Sequence, residues 1–319
     1  MNVWKGAAAI IIVMHHLAQK IDTGGPLIIM KYVGFIMVAV FFFASGYGLT
    51  VSLINKKDYL KSFFRKRLLS VFIPYWIVNI VDILLNLCNG KTFTSGQYIA
   101  SFFGADTVTG LWFVPSIILI YIAFYLSFKI CDVLNKGYNL GAVLVSVFIL
   151  LYCVAFSILY PEESSRTASV FAFLIGIIIA LNIQKFKSWT YNKYTIKTLI
   201  FSFSFCVLFL ARLYISSKGI DNLILMLVLR NIISILFIIS LILISMKFKM
   251  NGKVISFIGS ISYELYLVHF ILIDFIFAII GNKSIALIIL IAVSVILSFA
   301  IKKISGLLLK YFQRKQIKE

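Results

Sequence analysis

The chain has 319 residues, of which 62% are hydrophobic and only 13% are charged. Its mean hydropathy of +1.04 excludes a soluble enzyme, a disordered protein and a disulfide-stapled secreted module. A transmembrane β-barrel is disfavoured because its strands alternate apolar and polar residues, whereas the apolar runs here are continuous. We therefore expect an all-α, polytopic membrane protein.

Ten apolar runs along the chain are long enough to cross a bilayer, whose core of about 30 Å needs about 20 apolar residues per helix. Ten spans place both termini on the same side of the membrane. The runs lie near residues 4–18, 29–54, 68–88, 111–128, 140–159, 169–183, 198–214, 223–246, 260–280 and 284–301.

The distribution of basic residues orients these spans. Of the 30 Lys and Arg residues, 22 fall on the side that carries the termini, so the positive-inside rule predicts that both termini are cytoplasmic. The loops around residues 19–28 and 89–110 are then outside. All connections are short, so we expect residues 1–319 to form one membrane-embedded domain with no appended soluble domain. The net charge of +19 then points to the lipid bilayer, and not to nucleic acid, as the partner of the basic surface.

All three histidines lie within predicted spans, where an ionisable group is costly to bury and is a functional candidate. Lys5 and His16 are eleven residues apart, which places them on the same helix face with a rise of about 16 Å between them. His15 projects about 100° away from His16, so we expect that the two do not face one site together. Packing against neighbouring helices is the alternative explanation for these side chains.

The ninth predicted span carries an aromatic stripe that includes a histidine. Tyr263, Tyr266, His269 and Phe270 follow one another at helical spacing. Two phenols and an imidazole need hydrogen-bond partners in lipid, so we expect this stripe to line an interior or a cavity.

A basic cluster precedes the third predicted span. It fits an anchor for anionic lipid, and it also fits a phosphate site, since arginine binds phosphate with two parallel hydrogen bonds. The four cysteines have no metal-ligand spacing, so no metal site is expected. The cluster consists of Lys56, Lys57, Lys61, Arg65, Lys66 and Arg67.

Five motifs in chain order resemble the integral-membrane acyltransferase-3 family, whose members O-acylate cell-surface glycans and other acceptors. Lys5 and His16 are similar to the family's basic-x10-His motif on its first helix. One departure concerns Ser70, which stands where the family often has the second arginine of an Arg-x-x-Arg pattern. The other motifs are FFFASGYGL at 41–49, RKR at 65–67 followed by Pro74-Tyr75, LWFV at 111–114 and GSISYELYLVH at 259–269.

The resemblance implies acyl transfer in the plasma membrane, most often of acetyl from acetyl-CoA to a hydroxyl of a cell-surface polysaccharide or its lipid-linked precursor. Acyl-CoA would be a co-substrate, with no bound cofactor. His16 would act as general base or would carry the acyl group covalently. The resemblance further assigns donor binding to Lys5, Arg65, Lys66 and Arg67, catalytic support to His15, Tyr263, Glu264, Tyr266 and His269, and an acceptor pocket to Ser45, Tyr47, Tyr75 and Trp112.

Two other classes of function compete with acyl transfer. A transporter or flippase of lipid-linked saccharides would suit ten spans, but the sequence shows no half-to-half repeat and no paired Gly- or Pro-broken helices. A non-catalytic scaffold would have no reason to keep Lys5 and His16 on one helix face. The sequence leaves the acyl group open between acetyl, succinyl and longer chains, and it sets no oligomeric state.

Overall fold

The structure is a computed structural model that describes residues 1–20, 25–105, 110–160, 165–220, 222–248 and 250–315. In these residues the regular elements are all helical, which confirms the predicted fold class. The predicted outer loops 19–28 and 89–110 include residues 21–24 and 106–109, which lie outside the described residues. The α-helices are α1 Asn2–Lys20, α2 Gly34–Asn55, α3 Leu69–Cys88, α4 Ser95–Phe102, α5 Phe113–Val133, α6 Tyr138–Leu159, α7 Phe171–Leu181, α8 Ile183–Tyr191, α9 Tyr194–Ser217, α10 Leu223–Lys247, α11 Lys253–Ser260, α12 Ser262–Ile279 and α13 Lys283–Lys315.

Eight helices within the described ranges are long and apolar enough to cross a membrane, and a bent pair of segments forms one further candidate. α1 is not among them, because its lysines, histidines and glutamine lower its hydropathy. The chain is therefore a multi-pass membrane protein. The count of ten spans and the orientation of the termini stay predictions.

The bent pair replaces the predicted span 169–183. Residues 165–181 and α8 meet at an angle of 93°. α7 ends at Leu181. The side-chain amide of the next residue, Asn182, donates to the carbonyl oxygen of Ile178 over 3.1 Å. α8 carries Lys185 and Lys187, which favour a position at a membrane surface over one in its core.

Three other predicted boundaries differ from the structure. The span predicted at 29–54 starts with a 3₁₀ helix, Gly25–Tyr32, and α2 follows it. The outer connection 89–110 contains α4, because Thr94 and Gln97 form a reciprocal N-terminal cap. A break at Ile261 separates α11 from α12, so the span predicted at 260–280 is α12 with a separate helix before it.

The chain divides into two compact units. In one of them, α1 packs against α11 and α12, and α12 packs against α3 and α13. The backbones of α1 and α11 come close together at two glycines. A Cβ atom on Gly6 would overlap the carbonyl oxygen of Ile255, and one on Gly259 would overlap that of Asn2. Small residues of this kind allow helix backbones to pack closely in a membrane, where apolar side chains gain little by leaving lipid.

The other unit contains α2 and α6 to α10, and its closest helix pair is α2 with α7. Here too a pair of glycines forms the contact. A Cβ atom on Gly46 would overlap the carbonyl oxygen of Phe173, and one on Gly176 would lie 2.5 Å from that of Phe43. Gly46 belongs to the FFFASGYGL motif, so this motif has a packing role between helices.

Gly46→Ala and Gly48→Ala form a matched pair on α2. We expect Gly46→Ala to destabilise the protein by about 1–3 kcal/mol, since the added methyl group overlaps the backbone of α7. Gly48 has no atom within 4 Å of an added Cβ, so Gly48→Ala is expected to be neutral or to add up to about 1 kcal/mol of helix propensity. Thermal unfolding of the purified variants in detergent measures the difference, and equal melting temperatures would contradict it.

Candidate active site

α1 runs beside α11 and α12 in a constant register. Near the start of α1, Gly6 meets Gly259. In its second half the rings of His16 and His269 lie 5.4 Å apart, and at its end Lys20 Nζ lies 2.6 Å from Asp274 Oδ1. The two residues of the glycine pair and of the histidine pair are 253 positions apart in the sequence, and those of the ion pair are 254 apart. Because this separation is nearly constant, α1 runs parallel to α11 and α12. By helical rise, the histidines lie about 15 Å beyond the glycine contact.

α3 runs in the same direction as α12. The hydroxyl of Tyr263 donates to the carbonyl oxygen of Val71 over 2.9 Å, and Asp82 and Asp274 line one cavity further along. Both pairs are separated by 192 residues in sequence. A π-helical turn, Phe64–Leu68, leads directly into α3 and carries the basic RKR motif. The RKR motif therefore lies beside the start of α12. Because α1 is parallel to α12, the start of α1 lies at the same end of this unit.

His269 is completely buried, and only one of its nitrogens has a hydrogen bond. Its Nδ1 lies 2.8 Å from the carbonyl oxygen of Leu265. A carbonyl oxygen only accepts, so Nδ1 carries the proton and Nε2 keeps a lone pair. Nε2 has no hydrogen-bond partner within the described residues. Buried polar atoms without a partner are uncommon in proteins, so this nitrogen is a candidate functional atom.

His16 lies against His269 and Phe270. Its ring is 5.4 Å from each of the two neighbouring rings, edge-on to Phe270. Its Nδ1 lies 3.3 Å from Oε1 of Gln19. With Nδ1–H donating to this oxygen, the Nε2 atom of His16 keeps its lone pair, as a general base requires.

Gln19 was not singled out in the sequence, yet its amide contacts both adjacent histidines. Its Nε2 lies 3.3 Å from Nε2 of His15 while its Oε1 faces His16, and the two imidazole rings are 5.0 Å apart. The expectation that His15 and His16 have no site in common therefore missed a side chain that bridges them. The sequence signal is the spacing, since Gln19 is four residues after His15 and three after His16.

Charged groups collect at the start of α1. Glu264 is deeply buried on α12 and its Oε1 lies 3.6 Å from Nζ of Lys302 on α13. Lys5 interacts electrostatically with both of these side chains. The sequence did not identify Lys302, because a lysine that ends an apolar run also fits a topological anchor. Glu264 therefore balances two lysines at this end of the site.

The basic residues before α3 differ in their surroundings. Arg65 lines a groove of about 1000 Å³, together with Lys61 and an apolar wall that includes Phe72 and Trp76. Lys66 is exposed and Arg67 is half-buried, and neither lines the groove. The groove thus has two cations beside a long apolar surface.

The aromatic site residues hold helices together. The Tyr266 hydroxyl accepts the backbone N–H of Phe113 over 3.3 Å, and Trp112 lies edge-on to Phe113 at 6.2 Å. Tyr75 is fully buried and its hydroxyl donates to the carbonyl oxygen of Ser101, which joins α3 to α4. Tyr263 likewise joins α12 to α3, because its hydroxyl donates to the carbonyl oxygen of Val71.

Ser45 and Tyr47 belong to the other compact unit, on α2. The ring of Tyr47 stacks on Phe43 with centroids 6.0 Å apart. Both residues flank Gly46, the contact point with α7.

The comparison with protein families fits this arrangement. The acyltransferase domain model of the acyltransferase-3 family matches residues 1–303 of the 319. The chain belongs to this family. The protein is thus a membrane acyltransferase. No match was found among curated proteins or among solved structures.

The chemistry available to the acyltransferase is proton transfer and nucleophilic attack by imidazole. In the described part of the chain, no three His, Cys, Asp or Glu side chains are grouped as metal ligands would be. The two imidazole rings lie 5.4 Å apart, and each keeps a lone pair on Nε2 when its Nδ1–H donates to Gln19 or to the Leu265 carbonyl. This pair can accept the proton of an attacking hydroxyl.

We expect Gln19→Ala to lower the kcat of acyl transfer by about two- to tenfold, because it removes a hydrogen bond of about 0.5–1.5 kcal/mol that fixes the His16 tautomer. The pH profile of kcat should change with it, since the proton of His16 is then free to move between the two ring nitrogens. Gln184→Ala, an exposed glutamine on α8, serves as the control. An unchanged rate and profile in Gln19→Ala would show that Gln19 does not position His16.

Proposed function

We propose that this acyltransferase moves an acetyl group from acetyl-CoA to a hydroxyl of a cell-surface polysaccharide or its lipid-linked precursor. Acetyl-CoA is a co-substrate, and no cofactor is bound. In this proposal the protein lies in the plasma membrane with ten spans and both termini in the cytoplasm. The basic distribution supports the orientation, and α1 added to the eight helices and the bent pair brings the number of spans to ten.

The observation that carries the proposal is the close pair of His16 and His269, whose ring centroids lie 5.4 Å apart. This pair is separated along α1 from the charged residues at the start of the helix. Lys5 lies about 16 Å from His16 along the helix axis. Acetyl-CoA brings phosphates to the cytoplasmic surface, where Lys5, Arg65 and Arg67 offer cations. A histidine held well inside the membrane then serves a donor from one side and an acceptor from the other.

In the reaction, the acceptor hydroxyl attacks the thioester carbonyl carbon while Nε2 of His16 takes the hydroxyl proton. The tetrahedral intermediate collapses, the C–S bond breaks, and the CoA thiolate leaves and takes the proton from His16. In the alternative sequence, Nε2 of His16 attacks the thioester carbonyl carbon, the C–S bond breaks and CoA leaves as the thiolate. The acceptor hydroxyl then displaces the acyl group from Nε2 of His16 while Nε2 of His269 takes the hydroxyl proton, which passes on to the thiolate. In the first sequence the single hydroxyl proton goes to His16, and His269 supports His16 through the contact between their rings.

His16→Ala is the decisive variant. We expect it to lower acyl transfer by about 10²–10⁴-fold while the protein still inserts and folds, because general-base catalysis contributes that much. His15→Ala should be milder, and His269→Ala should fall between the two. Transfer to the native glycan and release of free CoA are measured together at matched expression. Full activity of His16→Ala beside an inactive His15→Ala would identify the other histidine, and a wild type that releases no CoA would indicate a transporter.

Arg65→Ala tests donor binding. We expect it to raise the KM for acetyl-CoA by about tenfold or more, since a hydrogen bond to a charged group contributes about 1.5–3 kcal/mol. Lys57→Ala is the matched control, because Lys57 is an exposed residue of the same cluster and does not line the groove. If both variants keep the wild-type KM, the basic cluster is a topological anchor only.

A further inference from the structure

We propose that the cavity between the C-terminal parts of α3 and α12 binds a neutral sugar ring of the acceptor, with its reactive hydroxyl directed past Phe270 to His16. The inference rests on the proposed acyl transfer to a glycan. It assigns the acceptor to a different place from Ser45, Tyr47, Tyr75 and Trp112.

The cavity has a volume of about 580 Å³, which is within the range of ligand pockets. Its polar wall is formed by Asp82 and Asn86, four residues apart on one face of α3, and by Asn89 directly after the end of this helix. Asp274 lies on the opposite wall. Four side chains that can exchange hydrogen bonds therefore surround one space at the end of otherwise apolar helices.

Phe270 connects this cavity to the histidines. Its ring forms part of the cavity wall and meets His16 edge-on at 5.4 Å between centroids. The ion pair of Lys20 with Asp274 fixes the end of α1 against the same wall. Because α1 is parallel to α12, the cavity lies beyond the histidines on the side away from Lys5. A ligand here approaches His16 from the opposite end to the proposed donor site.

The lining chemistry selects a polyhydroxylated, uncharged ligand. Carboxylate and amide oxygens accept hydrogen bonds from sugar hydroxyls, while amide N–H groups and the ammonium of Lys91 donate to them. The rings of Phe270 and Phe275 offer apolar surface to the C–H face of a sugar. Lys20 and Lys91 balance the two carboxylates, so the wall has no excess of cations for a phosphate and suits an uncharged sugar better than CoA or the phosphate of a lipid-linked precursor.

Asn86→Ala and Asp82→Asn test the cavity kinetically. The amide of Asn86 donates to the backbone oxygen of Asp82, which leaves its side-chain oxygen for a ligand. We expect both variants to raise the KM for the glycan that the wild type acetylates by at least tenfold. Acetyl-CoA hydrolysis without acceptor should stay within twofold of wild type. Asn251→Ala, an exposed asparagine that does not line the cavity, is the control.

Unchanged glycan KM in both variants would overturn the assignment, and so would a raised KM for acetyl-CoA. Failure of the proposed function is distinguishable, because the wild type itself would then consume no acetyl-CoA.

Thiol labelling provides a measurement that does not depend on turnover. Ala278→Cys, in the cavity wall, is prepared with Cys88→Ser and Cys206→Ser, which remove the two exposed native thiols. We expect the acceptor glycan, before acetylation, to slow maleimide labelling of this thiol at least fivefold in the purified protein, and acetyl-CoA to leave it unchanged. Val81→Cys, on an exposed face of α3 outside the cavity, should be unaffected by either. Protection by acetyl-CoA, or no protection by the glycan, would overturn the proposal.

Discussion

The close approach of two backbones at Gly6 and Gly259 is the constraint on which the candidate active site depends. Helices in lipid gain little from bringing apolar side chains together, so they associate where small residues permit close van der Waals packing. Once α1 is fixed there, helical rise determines which residues meet further along. The histidines face each other about 15 Å away, and the Lys20–Asp274 pair lies about 6 Å beyond them. A methyl group at either glycine would shift all of these contacts together.

The same register places the polar groups of this unit at three levels along the axes of the helices. Lys5, Glu264 and Lys302 share the first level, the two histidines the second, and the polar wall of the cavity the third. Polar groups within an apolar bundle are stable only where each finds a partner or a ligand. Grouping by level allows charges to compensate one another at the ends, while the level between them stays uncharged and is suited to accepting a proton.

The sequence predicted what depends on local spacing. Composition and long apolar runs identified the membrane class, and the eleven-residue interval placed Lys5 and His16 on one face of a single helix, as α1 has them. It did not predict what depends on contacts between distant residues, such as the facing of His16 and His269 or the pairing of Glu264 with Lys302. Asp82 and Asp274 were recognisable as costly groups in lipid, but only the fold places them around one cavity.

The unpaired nitrogen of His269 shows how such a site can favour reaction over simple packing. The free energy lost by burying an acceptor without a partner exceeds the free energy gained from a completed hydrogen bond. The unpaired Nε2 atom of His269 therefore carries a free-energy penalty. A hydroxyl that donates to Nε2 removes that penalty and is brought beside His16 at the same time. Because Nδ1 is held by the Leu265 carbonyl of its own helix, the ring cannot turn to satisfy itself elsewhere without breaking that bond. The unpaired nitrogen therefore favours a hydrogen-bond donor beside His16, which is the position that a substrate hydroxyl needs under the proposed function.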